Sequence, residues 1–303
     1  MKRIVITGAT GWIGRAMIHA LIDQYGVEIL KVLELYGSKK QTLDLKSGVT
    51  LEINPISSIN LQKKIDLLVP LAFLTQEKYN SLGSEEYKRI NQQIIEFHAA
   101  IIRSTSPTTV IYFSSGITTV DHKKFKRSDS FFVYKDMKIQ EEELFNSLIN
   151  SFNGSIATCK LFSVSGYYMR DPHKYALGDF ILQAALNKTI QIESSSEIYR
   201  KYIQDTDLCA LMLRLGLERR NVTVESSGLL IELGDLAKAV AKTFGLEETA
   251  ITRTEITGAP DNYFSKDSAM DELFVQYGFK PASLEEQIAA TIPGVMLSLN
   301  RSN

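Results

Sequence analysis

Ile4-Val5-Ile6-Thr7-Gly8-Ala9-Thr10-Gly11-Trp12-Ile13-Gly14 decides the fold. An apolar run passes straight into glycines three apart, after which Ile13, Met17, Ile18, Leu21 and Ile22 recur at helical spacing. A buried strand that turns sharply into a helix needs glycine where its backbone must approach another group closely. The first N–H groups of the helix then face the turn, unpaired and at the positive end of the helix dipole. A pyrophosphate suits such a turn. The motif therefore predicts a dinucleotide loop built from Gly8, Thr10, Gly11, Trp12, Ile13 and Gly14. A tight turn of purely structural purpose is the competing reading.

Outward from this unit, strand-like and helical segments alternate. Lys31–Tyr36 reads as a strand, 49–53 as a weaker one, and Asp66–Leu71 as a clear one. The next helix carries Ser84-Glu85-Glu86 in its first turn and an apolar stripe of Ile90, Ile94, Phe97 and Ile101. Pro107 closes the connection to a strand at Thr109–Phe113; a helical pattern over about 130–151 and a strand at 155–162 follow. This alternation implies the α/β class, with a Rossmann-type doubly wound parallel sheet. Beyond Gly166 it breaks down, and helical stretches at 180–186, 208–217 and 233–244 mix with short strands. The expectation is a dinucleotide-binding domain over 1–165 and a smaller C-terminal α/β substrate-binding region over 166–303. The second region would pack on the C-terminal ends of the strands, where open α/β sheets bind ligands.

Across 303 residues, 34 basic and 35 acidic side chains nearly cancel, for a net charge of −1. Such a balance argues against a broad nucleic-acid or membrane-surface footprint and for small-molecule partners. The apolar runs are too short to span a bilayer, and the first residues enter a strand rather than a signal-peptide core. A cytoplasmic protein is expected. Cys159 and Cys209, set among apolar neighbours, read as reduced core thiols. His19, His98, His122 and His173 are scattered, and no metal site is assigned to them.

Two further features carry chemistry. Tyr134 and Lys138 lie one helical turn apart, where an ammonium can stabilise a phenolate and lower a pKa that is ordinarily about 10. That change matches a phenol to proton transfer nearer neutral pH. Phe113-Ser114-Ser115-Gly116 places hydroxyls at the C-terminal end of a strand, on the ligand side of an α/β sheet. Ser115 is positioned to hydrogen-bond a reacting oxygen while Tyr134 moves its proton. Alone, each feature has a plain reading, as a solvated helix face and as turn chemistry. Their order after the glycine loop gives them weight.

Taken together, the motifs resemble the extended short-chain dehydrogenases/reductases of the sugar-nucleotide epimerase/dehydratase/reductase type, over nearly the whole chain. Thr7-Gly8-x-x-Gly11-x-x-Gly14 matches the nucleotide loop, Leu71-Ala72 the motif after the fourth strand, and Asn91 the asparagine of the next helix. Ser115, Tyr134 and Lys138 match the catalytic set, with Glu142 one turn beyond. The resemblance implies that Lys138 also holds the nicotinamide ribose. Arg200-Lys201-Tyr202-Ile203-Gln204-Asp205-Thr206-Asp207 resembles the segment whose arginine contacts the substrate diphosphate, the alternative being that Arg200 pairs with nearby acids. Phe279–Glu286 resembles the usual entry to the C-terminal helix. Ser163, Tyr167 and Arg170 are placed at the substrate, and a homodimer through helices near 90–103 and 134–151 is implied.

Departures from the pattern narrow the reaction. Gly116-Ile117 stands where dehydratases carry an Asp-Glu pair, Ser163 replaces a common asparagine, and Asn54-Pro55 lies where an adenine-holding aspartate is usual. For the cofactor, Glu34 is an acid suited to the adenosine ribose of NAD, whereas a strand running on to Tyr36 leaves Gly37-Ser38-Lys39-Lys40 for the phosphate of NADP. Both registers fit an NAD(P) enzyme, and the reading leans to NADP. The expected function is a reductase or epimerase of a nucleotide-linked deoxy sugar, more narrowly a 4-keto-sugar reductase. Alternatives are a reductase of a nonsugar carbonyl, flavonoid- or steroid-like, and a dinucleotide sensor without turnover.

Overall fold

The structure is a computed structural model and describes residues 1–120 and 128–302. Its strands in chain order are β1 (Ile4–Thr7), β2 (Leu33–Gly37), β3 (Gln41–Asp44), β4 (Thr50–Pro55), β5 (Leu67–Pro70), β6 (Thr109–Ser115) and β7 (Ser155–Leu161). There follow β8 (Ser163–Ser165), β9 (Ile190–Ile192), β10 (Ile198–Gln204), β11 (Val222–Glu225), β12 (Leu229–Glu232), β13 (Ile251–Arg253) and β14 (Asp261–Asn262). The chain divides into two compact units. Residues 1–161 and 212–224 make the first, and 162–211 with 225 onward the second. The expected single boundary at 165/166 lacks this return of the chain to the first unit.

In the first unit an eight-stranded sheet runs β11-β7-β6-β5-β1-β2-β4-β3. Parallel pairing joins β1 to β2 and β5, β5 to β6, β6 to β7, and β2 to β4. Every residue of β1 and β5 is buried, which is why both read as continuous apolar runs rather than alternating ones. β3 pairs antiparallel with β4 and was not expected from the sequence. Only Leu43 of its four residues is buried, so it carries almost no apolar signal.

Among the described residues four helices accompany this sheet: α1 (Trp12–Tyr25), the short α2 (Tyr79–Leu82), α3 (Ser84–Thr105) and α4 (Asp129–Leu148). Ala99, Ile101 and Ile102 of α3 and Phe145 and Leu148 of α4 share a core cluster with Val5, Leu68, Val110, Tyr112 and Ile156 of the sheet. Within it the Tyr112 and Phe145 rings stack at 4.3 Å.

The second unit carries α5 (Ala176–Asn187), most of the N-terminal half of α6 (Asp205–Leu217), α7 (Leu233–Thr243), α8 (Ala269–Tyr277) and α9 (Leu284–Ser302). β10 is central to its sheet, flanked by antiparallel β12 and by parallel β8 and β14. α9 locks onto the chain at β8. Ser165 Oγ donates to Gln287 Oε1 at 2.7 Å, and the Gly166 N–H donates to Thr291 Oγ1 at 3.0 Å. No helix among the described residues is long and apolar enough to cross a membrane.

Candidate active site

The turn after β1 is a cradle shaped by what glycine lacks. Gly8 has φ +64, and a Cβ there would lie 2.6 Å from the Leu71 carbonyl carbon and oxygen; one at Gly14 would lie 2.7 Å from Gly8 O. The Gly11 N–H donates to Gly8 O at 2.9 Å, and Gly11 caps α1 without any side chain. The N-terminus of α1 begins at this turn, with Thr10 in it. These residues fit the pyrophosphate of a dinucleotide, an anion matched to amides and a positive dipole end.

Thr7 ties the cradle to its surroundings. Its Oγ1 accepts from the Leu71 and Ala72 N–H groups at 3.1 and 3.2 Å and bonds His98 Nε2 at 2.9 Å. His98 Nδ1, on the far side of the ring, is buried with no hydrogen-bond partner among the described residues. Further along, Asn91 is fully buried. It accepts from the Leu74 N–H at 2.8 Å and donates to Leu74 O at 3.2 Å, and Tyr87 also donates to that oxygen at 2.7 Å. Asn91 therefore braces the 71–74 segment, and its amide is spent on backbone.

Thr7 is in register with Tyr36, and β2 runs on to Gly37, so Glu34 sits back along the strand opposite Val5. There its carboxylate takes a forked pair of bonds from Arg3 at 2.9 and 2.8 Å and a third from the Tyr36 hydroxyl at 2.8 Å. Glu34 is thus bound by Arg3 and Tyr36 and stands three residues before the strand's last residue, Gly37. Tyr36 and Gly37 occupy the strand end, and Ser38 and Lys39 follow, both exposed.

Ser115 ends β6 and Tyr134 lies on α4, with the Ser115 hydroxyl close enough to the phenol to act on its ionisation. Burial pushes the Tyr134 phenol up to about 12; the Ser115 hydroxyl works against that shift, while Glu141 and Glu77 add to it. Lys138, one turn along α4, is tied to Glu141 at 2.7 Å, and its ammonium lies 3.8 Å from the centre of the Phe73 ring. Glu142 accepts from Ser114 and Thr118 hydroxyls and pairs with Lys160 at 3.0 Å, buttressing the end of β6. Phe73 and Glu141 escaped the sequence reading, since nothing in a lone aromatic or in one acid of Glu141-Glu142-Glu143 marks it as inward-facing.

A family model described as the NAD dependent epimerase/dehydratase family matches residues 4–225. The chain belongs to this family. No curated protein sequence matches it. Among solved structures, a UDP-N-acetylglucosamine 4-epimerase from Methanobrevibacter ruminantium M1 in complex with UDP-N-acetylmuramic acid is 18% identical, with a TM-score of 0.73 over 98% of this chain and 99% of that one. An NAD-dependent NDP-hexosamine 5,6-dehydratase from tunicamycin biosynthesis is 17% identical, with a TM-score of 0.72 over 97% of both chains. The UDP-glucose 4-epimerase of Thermus thermophilus, in complex with NAD, is 13% identical, with a TM-score of 0.69 over 97% of this chain and 99% of that one.

In the epimerase/dehydratase chain the remaining expected positions fall in the second unit. Ser163 begins β8 in register with Tyr202 of β10, Tyr167 stacks edge-on to Tyr168 at 4.9 Å, and Arg170 is exposed. Arg200 on β10 is engaged with an acid. Its guanidinium donates to Asp261 O and Oδ2 at 3.1 and 3.2 Å and lies 5.5 Å from the centre of the Tyr263 ring. Among the described residues no cluster of His, Cys, Asp and Glu has the arrangement of a metal site, and both cysteines are buried thiols outside any disulfide. His122 lies outside the described residues.

Burial lowers His98 to about 3, with Lys138 contributing in the same direction. The unfolded chain therefore binds more protons than the folded one between pH 6.5 and about 3, so folding stability falls as pH falls through that window. Urea unfolding should show the wild type losing up to about 1.4 kcal/mol per pH unit relative to His98→Gln. A gap independent of pH would mean that His98 is not held neutral by the fold.

Proposed function

We propose that the protein is an NAD(P)-dependent oxidoreductase or epimerase of a nucleotide-linked deoxy sugar, most narrowly a 4-keto-sugar reductase. The observation that carries this reading is Ser115 at the end of β6 beside Tyr134 of α4, in the same unit as the glycine cradle. Family membership supports it, as do the nucleotide-sugar enzymes among the structures of like fold.

Gly8, Gly11 and Gly14 would admit the pyrophosphate, Thr10 and the Trp12 and Ile13 amides would face it, and Leu71 and Ala72 would line its path, with Asn91 holding their segment in place. When bound, the dinucleotide supplies the hydride that reduces a carbonyl or takes one from an alcohol. Ser115 donates a hydrogen bond to the reacting oxygen, and Tyr134 gives that oxygen its proton or removes it. Lys138 would hold the nicotinamide ribose. The cofactor reading remains NADP, supported by the pairing of Glu34 with Arg3 and by Ser38 and Lys39 after the strand end. In the second unit Arg200 would meet the substrate diphosphate, with Ser163, Tyr167 and Arg170 near the sugar, and the protein would act as a homodimer in the cytoplasm.

Purified protein incubated with NADH or NADPH and a panel of nucleotide-linked 4-keto-6-deoxyhexoses should consume NADPH and yield a new deoxy sugar. Tyr134→Phe should lower kcat at least about 100-fold. Its dinucleotide binding, read from quenching of the single tryptophan, Trp12, should change less than about twofold. Full activity of this variant would remove Tyr134 from the reaction.

The Arg200–Asp261 pair favours a second reading, reduction of a nonsugar carbonyl, because the guanidinium already faces a carboxylate. Arg200→Ala separates the two. On the sugar reading KM for the nucleotide sugar rises at least about tenfold, the scale of a charge-assisted contact. On the second reading KM for the ketone is unchanged.

A further inference from the structure

Lys138 is asked to face both a ribose and the Tyr134 phenol, yet its ammonium is committed elsewhere. Its Nζ lies 2.7 Å from Glu141 Oε2, an oxygen that also accepts from the Tyr112 hydroxyl at 2.9 Å. The two side chains are only 8% and 1% exposed. The Phe73 ring covers the ammonium and packs edge-on to Tyr134, with ring centres 5.9 Å apart. A carboxylate this deep persists as a charge only because Lys138 and Tyr112 satisfy it.

We propose that Glu141 is a positioning residue: it anchors the Lys138 ammonium against Phe73 and so sets how much of that positive charge acts on the Tyr134 hydroxyl. This rests on Tyr134 being the proton-transfer group. A cation with an anion 2.7 Å away presents a dipole to a third group, and a dipole's field falls off faster with distance than that of a lone charge. Several elements meet Tyr134. Ser115 comes from β6, Phe73 and Glu77 from the segment after β5, Tyr87 from α3, and Lys138 and Glu141 from its own helix. Among them the Ser115 hydroxyl favours the phenolate and the two carboxylates oppose it. Replacing Glu141 by its uncharged isostere removes one repulsion and releases the cation, so both effects make Tyr134 easier to ionise.

Carbon-13 NMR of tyrosine Cζ, with the Tyr134 signal assigned from Tyr134→Phe, follows this ionisation in the full chain with and without NAD. Glu141→Gln should lower the Tyr134 midpoint by about 1–2 pH units. In a Lys138→Gln background the same change should give less than half that drop. Equal drops in both backgrounds would show that Glu141 acts on Tyr134 directly, and no drop would show that it does not act; either overturns the proposal. If Glu141→Gln does not fold, Glu141→Asp keeps the charge but shortens its reach. It should lower the midpoint by a smaller amount, and an unchanged midpoint would count against the anchor. The titration needs no substrate, so its failure is distinct from a failure to turn over a nucleotide sugar.

Discussion

Everything in the first unit that bears on chemistry is referred to one hydroxyl, Thr7 Oγ1. By taking two backbone N–H groups from Leu71 and Ala72 and bonding His98, it fixes the end of β1, the segment after β5 and helix α3 against one another. That closeness is why residue 8 must be glycine, since any Cβ would meet the Leu71 carbonyl. The same segment continues into Phe73 and Leu74, braced by Asn91 and Tyr87, and delivers the Phe73 ring onto the Lys138 ammonium. A constraint on nucleotide-loop geometry is thereby also a constraint on the proton-transfer groups.

Electrostatics of the unit follow from burial. Tyr134 and His98 are both pushed toward their neutral forms by desolvation, whereas the buried Lys138–Glu141 pair is stabilised as an ion pair by the Tyr112 hydroxyl. Around the candidate reaction centre the positive charge is therefore present but balanced. A bound dinucleotide carrying a cationic nicotinamide would add the missing positive field and draw the phenol toward the range where it can exchange a proton.

The strand–glycine–helix unit was legible because its signals are local: consecutive apolar residues, glycines at fixed offsets and a 3.6-residue stripe. The placement of Ser115 at a strand end and of Tyr134 and Lys138 on one helix was legible because strand ends and helix turns are set locally. What escaped depends on contacts distant in sequence. The register of β2 is decided by Arg3, which claims Glu34 from 31 residues away. The inward acid of Glu141-Glu142-Glu143 is decided by Tyr112 on β6. The return of 212–224 to the first unit rests on contacts such as the bond the Ile156 N–H donates to Asn221 Oδ1, which no periodicity announces.

On the proposed function the cradle and the Ser115–Tyr134 pair act on one reacting carbon. Isotope transfer from NADPH deuterated at nicotinamide C4, in either face, to a nucleotide-linked 4-keto sugar tests this. Deuterium is expected on the former keto carbon from one face only, with its loss in Tyr134→Phe. Product without label from either face, or label delivered equally by the variant, would contradict it.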